Sequence, residues 1–238
     1  MTAQVRALIA EFLGAFFLLF IGGLAVFSSA VPDGSLIVVA FGFGLALLAV
    51  LFAFGEVSGG HFNPAVSLAA LLDGRIDGAT FIQYLVAQVA GAVAAGLALL
   101  WASSQELVAT TVTIPGAGVG LDSVFMLEVL MTAILVSVFL FVTASAANSV
   151  NAFLAISLTY VVIHLAIAQL TGASVNPART LGSAIVGNTY TDVWIYLTAP
   201  FIGSAVGWGM FQVVAPRPPE VPVVTRQTEV EVTAYSEG

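Results

Sequence analysis

Six long apolar runs, separated by short polar segments, dominate the pattern along this 238-residue chain. A helix that crosses a membrane needs about 20 consecutive, mostly apolar residues. The runs that reach this length are 7–27, 36–55, 80–101, 123–145, 151–170 and 193–214. The pattern therefore predicts an all-α membrane protein with six transmembrane helices.

Two further apolar stretches, 63–72 and 176–187, are too short to cross a bilayer. Each begins with an Asn-Pro-Ala triplet, formed by Asn63, Pro64 and Ala65 and by Asn176, Pro177 and Ala178. Backbone that is not a full span can lie at membrane depth only where it is buried in protein or lines a water-filled cavity. We therefore expect two re-entrant half-helices and, with them, a pore or a transport site.

The two halves of the chain repeat each other. Residues 58–65 read SGGHFNPA and residues 171–178 read TGASVNPA, while Glu11 and Glu128 occupy matching points of the first and fourth runs. Each half contributes an odd number of spans, so the second half must enter the membrane from the opposite side. This predicts an inverted repeat with halves at about 1–110 and 120–214, and a site at the membrane midplane.

Composition supports lipid as the surroundings of most of the chain. Hydrophobic residues make up 60% and charged residues 8%, whereas soluble proteins carry about 25% charged residues. The net charge of −8 argues against a nucleic-acid partner. With no cysteine and two histidines in separate halves, we expect no metal, no cofactor and no enzymatic activity.

The arginines set the expected topology. Four arginines fall on the same side of a six-span protein, namely Arg6, Arg75, Arg217 and Arg226. Loops on the cytoplasmic side of a membrane carry an excess of basic residues. We expect a multi-pass protein of the cell membrane with both termini cytoplasmic. Residues 1–214 would form the channel domain, and the polar, acidic residues 215–238 a disordered cytoplasmic tail. Arg179 is different, because it lies inside the second short stretch.

The Asn-Pro pairs have a local explanation. The side-chain oxygen of Asn can cap a helix, and Pro fits the first helical position, where its missing N–H is not needed. In an inverted repeat the two helix starts meet at the centre with partial positive charge. We expect the side-chain NH₂ groups of Asn63 and Asn176 to be free for the lumen. There they would bind a water through its oxygen and so block proton transfer along the water chain.

The motifs SGGHFNPAV and VNPAR together resemble the aquaporin (major intrinsic protein) family over roughly residues 5–214. The resemblance implies a right-handed six-helix fold and a homotetramer in the lipid bilayer, with one pore per subunit and water as the substrate.

The same resemblance implies a selectivity filter formed by Phe43, His164, Ala173 and Arg179. It further implies a structural role for Glu11 and Glu128, as acceptors of hydrogen bonds from the re-entrant loops. The pore-lining carbonyls would be those of Gly59, Gly60, His61, Gly172, Ala173 and Ser174.

Other functions stay open at this point. The glycerol-conducting branch of the family typically has Asp and Lys where this chain has Thr180 and Ala184, and it lacks a histidine in the fifth span. These residues favour water, but Leu197 departs from the aromatic pair usual in the water branch. The alternatives are a facilitator of glycerol or another small neutral solute, a proton-coupled transporter that uses Glu11 and Glu128, and, least favoured, a membrane enzyme.

Overall fold

The computed structural model describes residues 1–29, 35–144 and 149–215, with Ser149 described by its main chain alone. The helices in these ranges are α1 Ala3–Ser29, α2 Leu36–Ser58, α3 Pro64–Leu72, α4 Gly78–Ala102, α5 Gln105–Ala109, α6 Leu121–Val142, α7 Ser149–Thr171, α8 Pro177–Gly187 and α9 Val193–Val214. Six of them are long and apolar enough to cross a membrane. The predicted six-span, all-helical fold is therefore confirmed, while the predicted disorder of the tail beyond residue 215 concerns residues outside these ranges.

The two short stretches fold as half-helices. Helix α3 has 9 residues and α8 has 11, which gives lengths of about 14 and 17 Å against a hydrocarbon core of about 30 Å. Asn63 caps α3 by accepting a hydrogen bond from Ala65 N, and Pro64 begins the helix. Asn176 caps α8 through Ala178 N and Arg179 N.

The halves pack in the same manner. In the first half, helix α1 packs against α2 and α4. In the second half, α6 corresponds to α1 and packs in the same way against α7 and α9, the counterparts of α2 and α4. The half-helices lie between the halves, since α3 contacts both α4 and α9 and so does α8. Helix α5 is an element that the apolar pattern did not predict. It packs against α8, where Gln105 Nε2 donates to the Val186 carbonyl at 2.7 Å.

Equivalent glycines allow the helices to cross closely. A Cβ atom on Gly91 of α4 would collide with the carbonyl oxygen of Phe12, and one on Gly203 of α9 with that of Val129. Glycine is therefore required at these positions because backbone lies directly against the Cα atom. Large apolar side chains cover the outside of the helices, as at Val86 (60% exposed) and Val162 (61% exposed), which fits lipid as their surroundings.

We predict that Gly203→Ala lowers the thermal stability of the detergent-solubilised protein, because the added methyl group must push α9 away from α6. Overpacking of this kind costs about 1–3 kcal/mol. The matched control is Gly209→Ala in the same helix, where a Cβ meets no described atom within 4 Å and alanine should be neutral or stabilising. Equal melting temperatures for the two variants would contradict the close crossing.

Candidate functional site

A buried carboxylate in α1 anchors the first re-entrant loop. Glu11 is fully buried. Its Oε1 accepts hydrogen bonds from Ser58 Oγ at 2.6 Å and His61 N at 3.1 Å. Its Oε2 accepts from Phe62 N at 2.6 Å and Gln88 Nε2 at 2.7 Å. The carboxylate thus satisfies loop N–H groups at a depth where water cannot do so.

The second loop has the same anchor. Glu128, also fully buried, accepts from Thr171 Oγ1 at 2.8 Å, Ser174 N at 2.9 Å and Val175 N at 2.8 Å. These donors stand at the repeat positions of Ser58, His61 and Phe62. Hydrogen bonds to a charged acceptor are roughly twice as strong as neutral ones, so each carboxylate can fix its loop.

The two half-helix starts are bonded to each other. Asn63 Nδ2 donates to the Val175 carbonyl at 2.8 Å, and Asn176 Nδ2 donates to the Phe62 carbonyl at 3.1 Å. We expected the side-chain NH₂ groups of both asparagines to be free for the lumen. This is wrong for one N–H of each group, because that N–H binds the opposite loop. An amide nitrogen carries two donors, so one on each Asn remains for the lumen.

An inner cavity of about 20 Å³ lies beside this pair. That volume is enough for about one water. Its polar lining comes from Gly60, His61, Asn63, Tyr160 and Asn176, and apolar side chains such as Leu47 and Ile156 complete its wall.

An outer cavity of about 300 Å³ ends at Arg179, beside Gly172 and Ala168. Along α7, Tyr160 lines the inner cavity, Ala168 lines the outer one, and His164 stands midway between them. Tyr160 and Ala168 are eight residues apart, about 12 Å along the helix, so the constriction between the two cavities is at most about two turns long.

The four filter candidates come from different elements, and three of them, Phe43, His164 and Arg179, lie close together at this constriction. The Phe43 and His164 rings stack with centroids 4.7 Å apart and planes at 22°. The Arg179 guanidinium lies 5.1 Å from the centroid of the Phe43 ring. Ala173 packs in the same apolar cluster as Phe43. Phe43, His164 and Ala173 are 0% exposed and Arg179 is 4% exposed, so the passage is narrow at this level.

Arg179 is held by backbone oxygen. Its Nη1 donates to the Thr111 carbonyl at 2.8 Å, while its Nε has no hydrogen-bond partner among the described residues. Within the described ranges the ion pair found is Arg75 with Asp73, at 2.8 Å. Arg179 is thus held by a backbone carbonyl and not by a salt bridge, within the described part of the chain.

His164 has a defined tautomer. Its Nδ1 lies 2.9 Å from the Tyr160 carbonyl, and because a carbonyl can only accept, Nδ1 carries the hydrogen. In the neutral ring Nε2 is then an acceptor, and it has no partner within the part of the chain that is described. The constriction therefore combines an acceptor on His164 and donors on Arg179 with the apolar ring of Phe43, which lies against both.

The predicted pore-lining carbonyls, of Gly59, Gly60, His61, Gly172, Ala173 and Ser174, accept no hydrogen bond from described residues. Gly60 and His61 line the inner cavity and Gly172 lines the outer one. These loops therefore direct N–H groups toward the carboxylates, while a lining role for all six carbonyl groups stays a prediction.

Sequence reasoning missed Tyr160. It lies four residues before His164 and so on the same face of α7. The spacing was available in the sequence as a signal, but tyrosine in an apolar helix is more often part of the core.

Together, the interrupted helices, the central amide pair and the constriction between two cavities define a transmembrane channel for small solutes. The family model for the major intrinsic protein matches residues 1–211, and the chain belongs to this family. Its members are channels and not enzymes, carry water and small solutes, and are typically tetrameric. The chain is therefore a multi-pass membrane channel.

Relatives carry names of both branches. A "Glycerol uptake facilitator protein-like 6" of Lactiplantibacillus plantarum is 38% identical over 207 residues, which cover 84% of this chain and 94% of the relative. An "Aquaporin Z" of Photorhabdus laumondii is 36% identical over 224 residues, covering 88% and 97%. The solved structure of the Plasmodium falciparum aquaglyceroporin matches with a TM-score of 0.80 at 24% identity, covering 89% of this chain and 96% of that one, and supports the fold alone.

We predict that Glu11→Gln lowers the stability of the folded channel by about 1–3 kcal/mol, because the new NH₂ group faces a loop donor and leaves it unpaired. Water permeability should fall with it as the loop loosens. Thermal unfolding in detergent and osmotic flux measure the two effects. Glu56→Gln, at an exposed position of α2, is the matched control. Full stability of Glu11→Gln would contradict the anchoring role.

Proposed function

We propose that this protein is a passive water channel, driven by osmotic gradients, that excludes protons and ions. The observation that carries the proposal is the constriction of Phe43, His164 and Arg179. It combines hydrogen-bonding groups on His164 and Arg179 with the apolar ring of Phe43. The inner cavity beyond it has room for about one water, so solutes would pass one molecule at a time.

Exclusion of charge would arise at two levels. Arg179 is a permanent cation beside the passage. Deeper in, the starts of α3 and α8 meet with their positive dipole ends, and Asn63 and Asn176 each retain one N–H donor. A water that accepts from these donors points its hydrogens away from the centre, so a proton cannot pass along the chain of waters.

A facilitator of glycerol or another small neutral solute is the second candidate. The glycerol facilitator name of the Lactiplantibacillus relative favours it, as does the small side chain of Ala173 in the proposed filter. His164 and Phe43 oppose it, because both rings occupy space that a three-carbon polyol would need.

The assembly proposed is a homotetramer in the cell membrane with one pore per subunit and with cytoplasmic termini. The tetramer is proposed because channels of this family are typically tetrameric. The orientation follows from Arg6 and Arg75, which the positive-inside rule assigns to the cytoplasm.

In proteoliposomes, we predict fast shrinkage after a sucrose shock, with a low activation energy, and slow re-entry of glycerol. Water should pass easily because it exchanges one hydrogen-bond partner for another along the lumen. Stopped-flow light scattering measures both rates, and empty liposomes give the background. Glycerol entry as fast as water flux would contradict water selectivity and favour the second candidate, a facilitator of glycerol or another small neutral solute.

We predict that Arg179→Val raises cation conductance by roughly tenfold or more. Two unit charges about 6 Å apart repel by roughly 3 kcal/mol at an effective dielectric constant of about 20, and each 1.4 kcal/mol is a factor of about ten in rate. Arg6→Val, at an exposed position of α1, makes the same change in net charge outside the passage. Equal cation conductance in both variants would contradict the assignment of Arg179 to the filter.

A further inference from the structure

Tyr160 is a buried tyrosine at the boundary between the filter and the inner cavity. Its side chain is 1% exposed, and it lines the cavity together with Asn63 and Asn176. Its hydroxyl has no hydrogen-bond partner among the residues that the structure describes. A buried tyrosine hydroxyl normally has one, so this group requires an explanation.

Other buried tyrosines of the described chain show the contrast. Tyr84 donates its hydroxyl to the Ser58 carbonyl at 2.7 Å. The Tyr196 hydroxyl is also without a partner, but its side chain packs in an apolar cluster between α6 and α9, with Val129 and Ala199. Tyr160 combines an unpartnered hydroxyl with a place on the wall of a cavity that has room for about one water.

The ring of Tyr160 continues the wall of the filter. Its centroid lies 4.6 Å from that of His164 and 6.4 Å from that of Phe43. The bond from His164 Nδ1 to the Tyr160 carbonyl ties the two residues together. Since Tyr160 lies one helical turn below His164, the three rings form one aromatic surface that reaches from the filter to the inner cavity.

We propose that Tyr160 is a second selectivity residue of the channel, placed between the filter and the central asparagines. Its hydroxyl would hydrogen-bond each water as it passes from His164 to Asn63 and Asn176. Its ring would keep the inner cavity at the size of one water, so that a polyol that had entered the filter would be stopped one turn further in. This role rests on the proposed water channel.

Three variants separate the hydroxyl, the ring and nonspecific effects. Tyr160→Phe removes the hydroxyl and keeps the ring, and water permeability should fall about two- to tenfold, as expected for the loss of one hydrogen bond, with glycerol still excluded. Tyr160→Val removes the ring, and the ratio of water to glycerol permeability should fall roughly tenfold. Tyr196→Phe, the same chemical change away from the cavity, should leave both rates at wild-type values.

The readouts are osmotic shrinkage and glycerol re-entry in proteoliposomes, normalised to the amount of folded channel by size-exclusion chromatography. Tyr160→Leu replaces the valine variant if the latter is not monodisperse. Wild-type water permeability in Tyr160→Phe, or a wild-type ratio in the variant without the ring, would overturn the proposal. Rapid glycerol conduction by the wild-type protein would contradict the proposed water selectivity. The role of Tyr160 can still be tested in that case. A further fall of the ratio of water to glycerol permeability in the variant without the ring would support the role, and an unchanged ratio would overturn it.

Discussion

The structure depends on one constraint: a helix interrupted inside a membrane leaves backbone groups that lipid cannot satisfy. Glu11 and Glu128 resolve it by accepting hydrogen bonds from loop N–H groups in each half. In a trans peptide unit the N–H and the carbonyl group point in opposite directions. Because the His61 and Phe62 N–H groups bind Glu11, the carbonyl groups of Gly60 and His61 point away from that carboxylate, and both of these residues line the inner cavity.

These bonds also hold a backbone that the side chains would otherwise disfavour. Phe62 and Val175, which donate to the carboxylates, have φ values of 49° and 43°, and Ala173 has 48°. Left-handed conformations cost non-glycine residues about 1–3 kcal/mol each, which hydrogen bonds to charged groups can offset. Ala173 stands where the first loop has Gly60 (φ 69°). The smallest side chain with a Cβ thus occupies a position that favours glycine and contributes to the proposed filter.

The sequence was sufficient for features that follow from length and local chemistry. Apolar runs of spanning length predicted six membrane helices, and Asn-Pro at the start of two short runs predicted capped half-helices. It was insufficient where the outcome depends on which groups meet across the repeat. The use of one Asn63 N–H by the Val175 carbonyl was missed because local capping rules say nothing about the opposite loop. Tyr160 was missed because a tyrosine in a mostly apolar helix is more often part of the core, although its spacing of four residues from His164 places it on the same face of α7.

The proposed exclusion of cations has to be reconciled with the two buried carboxylates beside the passage. A carboxylate facing the lumen would attract them, but both oxygens of Glu11 and of Glu128 accept bonds from loops and neighbouring helices. The Arg179 guanidinium forms no salt bridge within the described ranges and donates to the Thr111 carbonyl. The helix starts at Asn63 and Asn176 add positive potential at the centre. In the proposed channel the negative charges therefore anchor the loops and the positive charge of Arg179 lies at the constriction, an arrangement that favours a neutral molecule able both to donate and to accept hydrogen bonds.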